Sequence, residues 1–410
     1  MKYLILTIFF LISFVLPVIA EEPFREIDFD KACLAAKEEK KVVLIDFFTT
    51  WCGPCKRMDA VTWKDKDVMA WLEKNTIALK IDAEKEVDLA KRYKISAYPT
   101  VAIIRPDGTE VDQLVGFVDA KTFLTNASDS LIGKTALVKA EEEFTKNANS
   151  PKTRSNYARE LTRAGKYEEA LTHYAWCFDK GLEYDKSYAG VRASFLLGEI
   201  GSLARKHKPA MDFLIERRAI AEKNLLSGNG ENEVEKIATL FEFMGINRNL
   251  GKAGLENNLA FYNTLKERKE RTLEGYVLDN ILAELLKAKR YKDIVESATD
   301  ISIRIEKRIL SYNSLVLYSK ERPGNISEDI LKHSKDDVVN YGEQYFRALL
   351  GTNDLEQAKK LAQQISNFNS TPETFSLLVK TAEEFDAKDL AKELSEQASK
   401  ITVEKKTETK

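Results

Sequence analysis

The spacing of apolar residues changes character twice along the chain. After Lys2, a nearly unbroken apolar run from Tyr3 to Leu16 meets Pro17 and leaves through Val18-Ile19-Ala20 into Glu21-Glu22. This predicts a cleavable secretory signal over residues 1–20. The rival reading is an uncleaved anchor, because the run approaches the ~18 residues that a spanning helix needs. From Phe24 to Gly133 the pattern alternates between helical and extended periods, as in a small α/β unit. Asp28 to Lys40 has helical spacing with Phe29, Ala32, Cys33 and Ala36 on one face. Val42 to Phe48 is a β-branched and apolar run suited to a strand covered on both sides. Helical stretches follow through Met58 and over Asp67 to Lys74, then a strand over Ile77 to Ile81. Val101 to Ile104 and Glu110 to Val115 flank Pro106-Asp107-Gly108-Thr109 and predict a hairpin. Asp119 is placed to cap a last helix through Leu131.

Beyond Lys134, glycine and proline become sparse and apolar residues recur at helical intervals, which predicts an all-α region over 134–402 and a frayed, disordered tail over 403–410. Ser155 to Gly165 followed by Lys166 to Tyr174 reads as a helical hairpin. The segments Lys289 to Ile294, Asn353 to Ala358 and Asp386 to Ala391 echo its second half. Their separations lie near one and two multiples of the tetratricopeptide period, so the region resembles a helical-hairpin array of that kind.

Composition narrows the chemistry. Among 410 residues, Lys+Arg 63 balance Asp+Glu 65, so there is no basic excess to hold nucleic acid. The four cysteines, Cys33, Cys52, Cys55 and Cys177, are too few for a disulfide-stapled scaffold, and any role for them is local. Cys52 and Cys55 form a C-x-x-C pair where a buried strand gives way to a helix. That spacing is also half of a zinc site, but His173, His207 and His333 all lie in the helical half, so no metal or other cofactor is expected. For a redox pair the surroundings make sense: Pro54 occupies an early helical position that needs no donor, and the free N–H groups and dipole of a helix start favour a thiolate at Cys52. An unshifted thiol, with a pKa of about 8.5, is only about 3% ionised at pH 7. Cys55, one turn further in, is expected to be the more shielded of the two. Cys33 and Cys177 read as inert buried thiols, and the three histidines as structural or solvated residues.

Asp46, Trp51-Cys52-Gly53-Pro54-Cys55-Lys56, Tyr98-Pro99-Thr100 and Gly116 together resemble the thioredoxin family, over residues 21–133. The opening helix, Met58 to Trp63 and Asp67-Val68 are similar to the subfamily that includes the C-terminal domain of DsbD. The resemblance implies an α/β thioredoxin-like domain with a central mixed sheet, in which Cys52 attacks, Cys55 resolves and Asp46 takes the proton of Cys55. It also implies a cis Pro99 against the cysteine pair, with Tyr98 and Trp51 lining a substrate groove. The lysine that thioredoxin keeps near its buried aspartate is replaced by Ala78, and Lys80, on the same strand face, is the available substitute.

The function these readings imply is an exported, periplasmic or otherwise extracytoplasmic thiol:disulfide oxidoreductase. It would reduce disulfide-containing protein substrates, draw electrons from a membrane or extracytoplasmic donor, and use the helical array to recruit a client or redox partner. The alternative is an adaptor whose helical half is the functional part and whose first domain is a binding module without essential redox activity.

Overall fold

In a computed structural model, which describes residues 23–227, 232–322 and 326–408, two compact units meet between Lys139 and Ala140. The segment predicted as a secretory signal lies outside the described residues. The first unit is built on a four-stranded sheet. Its strands are β1 (Val42–Phe48), β2 (Thr76–Asp82), β3 (Thr100–Ile104) and β4 (Glu110–Val115), in the order β2-β1-β3-β4. β1 runs parallel to β2 with Phe48 opposite Asp82, and antiparallel to β3 with Phe47 opposite Thr100. The hairpin β3-β4 is antiparallel, with Thr100 opposite Val115.

Alternation along β1 divides the core in two. Val43, Ile45 and Phe47 face one side and pack with Ala32 and Ala36 of α1 (Phe29–Glu39) and Ala90 of α4 (Val87–Arg92). Leu44 faces the other side with Met58 of α2 (Gly53–Val61), Val68 and Leu72 of α3 (Lys66–Asn75), and Phe123 and Ala127 of α5 (Ala120–Leu131). Three helices begin on an aspartate whose carboxylate accepts from a backbone N–H of the first turn: Asp28 from Lys31, Asp65 from Asp67 and Val68, and Asp119 from Thr122. Each such cap satisfies a donor that the helix itself cannot, a contribution of about 1 kcal/mol.

The boundary between units falls at 139/140, past the 133/134 division read from the change of pattern. Ser130 and the backbone N–H of Ala136 both donate to the buried Asp112 carboxylate, and Lys139 pairs with Asp129 at 2.9 Å. These contacts tie the first turn of the helix Ala136–Lys146 to the sheet unit.

The second unit is helical throughout its described length. Pro151–Arg163 and Tyr167–Tyr184 form the hairpin that the sequence predicts. The echoes of that hairpin share one backbone device. Between Arg163 and Tyr167, Lys287 and Tyr291, Gly351 and Leu355, and Glu384 and Lys388, the middle residue of the turn is left-handed: Gly165 (φ 80°), Lys289 (55°), Asn353 (58°) and Asp386 (56°). In each turn the following N–H returns to a carbonyl five residues back, as from Lys166 to Leu161, Arg290 to Leu285, Asp354 to Leu349 and Ala387 to Ala382. This bond ends one helix and starts the next in a fixed direction. The final helix, Lys388–Glu408, runs through the 403–408 stretch where a disordered tail was expected. That stretch combines lysine and glutamate, good helix formers, with no glycine or proline to stop it.

Because Gly165 is left-handed, Gly165→Ala is expected to destabilise the second unit by about 1–2 kcal/mol. Urea unfolding followed by far-UV circular dichroism reads this, and an unshifted transition would contradict it.

Candidate functional site

Four chain segments converge at one end of the sheet. β1 leaves there towards Cys52, β2 towards Glu84, β3 enters there from Pro99, and β4 ends there at Gly116. Three bonds close this end: Ala83 N–H to the Phe48 carbonyl (2.9 Å), Cys52 N–H to the Thr49 carbonyl (3.2 Å), and Gly116 N–H to the Pro99 carbonyl (2.8 Å). Gly116 needs its φ of 90° to turn the chain here, a conformation that a side chain disfavours. The Tyr98–Pro99 bond is cis, and Pro99 itself is buried.

Cys52 is the N-cap of α2, with extended backbone (φ −72°, ψ 104°), and Pro54 lies in the first turn. Its sulfur accepts the N–H of Cys55 at 3.1 Å and is bonded to Cys55 Sγ. A sulfur in the N-cap position receives the free N–H groups of the helix start, which is the arrangement that stabilises a thiolate once the disulfide is opened. The expected difference in shielding is absent: Cys52 and Cys55 are each 3% exposed. In the oxidised pair the Cys52 sulfur is turned back over the first helical turn, so both thiols share one cover.

Asp46 lies within β1, between Ile45 and Phe47 of the core, and is 1% exposed. Trp63 Nε1 donates to its Oδ2 at 2.9 Å, while Oδ1 has no hydrogen-bond partner. Burial pushes its pKa up to about 7, against the downward pull of the Lys80 charge and the Trp63 hydrogen bond. Lys80 stands directly opposite Asp46 in the parallel β1-β2 register. Its ammonium is bonded to Asp59 on α2, so the cation sits beside the buried carboxyl but is already held by a second carboxylate. Ala78, at the position where thioredoxin carries its lysine, is buried in the same core layer.

At the surface of this end stand Trp51, exposed, and Tyr98, half-buried. Trp51 is 66% exposed, so it is not core. Its Nε1 donates to Glu84 at 2.9 Å, and its ring meets Tyr98 edge to face at 6.0 Å. Trp63, Glu84 and Asp59 were not singled out from the sequence. Each acts across 17 to 33 residues of chain, and no local pattern marks such a partner. The remaining thiols lie elsewhere. Cys177 is fully buried and burial pushes its pKa up to about 12, whereas Cys33 is half-buried rather than buried, with its pKa also raised by burial. His173 meets the stacked rings of Phe144 and Tyr157 edge to face, with its pKa lowered by burial, and His207 meets Glu168 at 3.0 Å. Among the described residues no helix is long and apolar enough to cross a membrane.

Residues 29–128 match the thioredoxin-like domain family. The chain is 36% identical over 109 residues to the thioredoxin H-type of Oryza sativa subsp. indica, a match covering 27% of this chain and 84% of that protein. It is 37% identical over 91 residues to the chloroplastic thioredoxin Y1 of Arabidopsis thaliana, covering 22% of this chain and about half, 51%, of that relative. The solved C-terminal domain of DsbD from Neisseria meningitidis, in its oxidised form, is 30% identical, with 24% of this chain and 90% of that one covered and a TM-score of 0.22.

The raised pKa of Asp46 makes stability depend on pH with a definite sign. The folded chain holds a proton on this carboxyl between about pH 4, where an exposed aspartate titrates, and about pH 7. Folding stability therefore falls as pH rises through that window and levels off above it. Asp46→Asn removes this slope. Its stability relative to the parent, measured by urea unfolding with the disulfide intact, is expected to grow from pH 4 to 7 by up to about 4 kcal/mol. A difference independent of pH would refute the raised pKa.

Proposed function

The chain belongs to the thioredoxin family of disulfide oxidoreductases through its residues 29–128, and on that basis we propose that it is an exported reductase of protein disulfides with a client-recruiting helical region. The observation that carries the chemistry is the placing of Cys52 as the N-cap of α2, with Cys55 one turn along and a buried carboxyl of raised pKa on β1, the strand that leads into Cys52.

In the reductive direction the Cys52 thiolate attacks one sulfur of a substrate disulfide. A mixed disulfide forms, and the other substrate sulfur leaves as a thiolate. Cys55 gives up its proton to Asp46 and attacks the Cys52 sulfur, releasing the second substrate thiolate. Two electrons have then passed to the substrate, and the chain is left with the Cys52–Cys55 disulfide. Asp46 can serve because a carboxyl with a pKa of about 7 is a base matched to neutral pH. Trp51, Tyr98 and Pro99 line the groove for the substrate chain, with backbone groups beside Pro99 pairing to an extended segment. The Gly53-Pro54 pair between the cysteines favours the reductant. Turnover requires a membrane or extracytoplasmic donor to return the two electrons, since an oxidising compartment does not.

The helical second unit fits recruitment. Its repeated hairpin turns give the kind of array, similar to tetratricopeptide repeats, whose extended surface binds proteins. Residues 1–20 supply the export signal on this reading.

Cys52→Ser is expected to abolish disulfide reduction, and Cys55→Ser to leave clients trapped on Cys52 as mixed disulfides recoverable from the periplasmic fraction. Full activity of the double serine variant would instead favour the adaptor reading. The reduction potential of the pair is expected near the about −270 mV of a thioredoxin, and a value near the about −120 mV of a dedicated oxidant would reverse the direction proposed.

A further inference from the structure

The end of the sheet that carries Cys52 has a second wall besides Trp51 and Tyr98. Phe117 follows Gly116, whose N–H is bonded to the Pro99 carbonyl at 2.8 Å, and precedes Val118, whose carbonyl accepts from Thr62 at 2.6 Å. Thr62 is the C-cap of α2. Phe117 is therefore fixed between the Pro99 turn and the helix that Cys52 begins. The guanidinium carbon of Arg57, on the first turns of that helix, lies 4.3 Å from the centre of the Phe117 ring. Stacking of this kind holds a planar cation in place while leaving its N–H edges free.

The charge on this wall is unbalanced. Lys56 and Arg57 are both exposed, and among the described residues neither has a carboxylate partner. Of the nearby acids, Asp59 is paired with Lys80, while Asp119 accepts from the first turn of α5 and Glu84 from Trp51, and neither of these meets Lys56 or Arg57. An extended segment lying across Cys52 would thus run near the Trp51–Tyr98 aromatic pair with its one acid, and near a cation held flat on a ring.

From this geometry we infer that Arg57, stacked on Phe117, is a specificity-determining residue that favours disulfides flanked by acidic side chains, with Lys56 adding to the same field. The inference rests on the reductase reading above and names the substrate class for that site. A carboxylate within one or two residues of the attacked cysteine would accept from the free edge of the guanidinium in a charge-assisted pair. Because the partner is exposed to solvent, the attraction is screened by salt.

The test uses the full-length protein and two synthetic peptides, each closed by one disulfide and differing only in having Asp-Asp or Lys-Lys beside one cysteine. The ratio of kcat/KM for the acidic over the basic peptide is measured at low salt. The unmodified chain is expected to prefer the acidic peptide about tenfold. Arg57→Glu should bring the ratio to about one or below, and Arg57→Lys should keep most of it. The ratio is taken within each protein, so a change in potential or in folded fraction does not move it. Equal turnover of the two peptides by the unmodified chain, or an unchanged ratio in Arg57→Glu, overturns this inference and leaves the reductase reading standing. Turnover of neither peptide, with the dithiol intact, overturns both.

Discussion

The constraint on which this site depends is the burial of one carboxyl in the middle of a strand. Asp46 lies on the side of β1 that faces α2, α3 and α5, where the neighbouring residues are Leu44, Met58, Trp63 and Phe123. A charge in such surroundings is costly, and only partial compensation is offered: one hydrogen bond from Trp63, the field of Lys80, and nothing on Oδ1. The carboxyl therefore holds its proton until about neutral pH. The same register that buries Asp46 brings β1 out six residues later at the start of α2, so the sulfur, the helix start and the carboxyl are set by one strand alignment. A one-residue slip of β1 would exchange Asp46 with Ile45 or Phe47 and turn the carboxyl to the other face of the sheet.

Much of the first unit could be read from its sequence because its signals are local. The β-branched run of β1, the Pro-Asp-Gly turn of the β3-β4 hairpin and the aspartate caps each act within a few residues, and the structure places these elements within a residue or two of the expected bounds. α4 escaped because it is a six-residue helix with one buried side chain, Ala90, and so leaves little period to detect. The cysteines, Asp46 and Pro99 were legible from motif order and spacing. What surrounds them was not. Trp63 on Asp46, Glu84 on Trp51 and Arg57 on Phe117 are pairings that exist only after four strand ends have come together, and in each case neither partner has a local reason to be where it is. The equal burial of Cys52 and Cys55 is similar: it reflects how the closed disulfide lies on the helix start, a property of the pair and not of either position.

The second unit shows the converse. Its helix periods are plain, and several of its helices end on the same left-handed turn, a device that also ends helices of the first unit at Lys40 and Lys94. Gly165, Lys289, Asn353 and Asp386 share a left-handed φ. For the last three this conformation is unfavourable locally and is held by the returning N–H bond and by the packing of the two helices it joins.

Moving the cation from position 78 to position 80 changes how the buried carboxyl is controlled. At position 78 a lysine would sit in the core layer now filled by Ala78, with no other anion to satisfy it. At position 80 the side chain is partly exposed, faces Asp46 across the strand pair, and is bonded to Asp59 on α2. The Asp59 charge raises the pKa of Asp46, against the larger downward pull of Lys80. Burial is the largest influence on the carboxyl, and the Lys80 charge is the largest that opposes it. The Lys80–Asp59 pair also ties the helix that carries both cysteines to the edge strand beside Asp46. Lys80 thus joins, through one side chain, the helix that follows Cys52 and the field on the buried carboxyl.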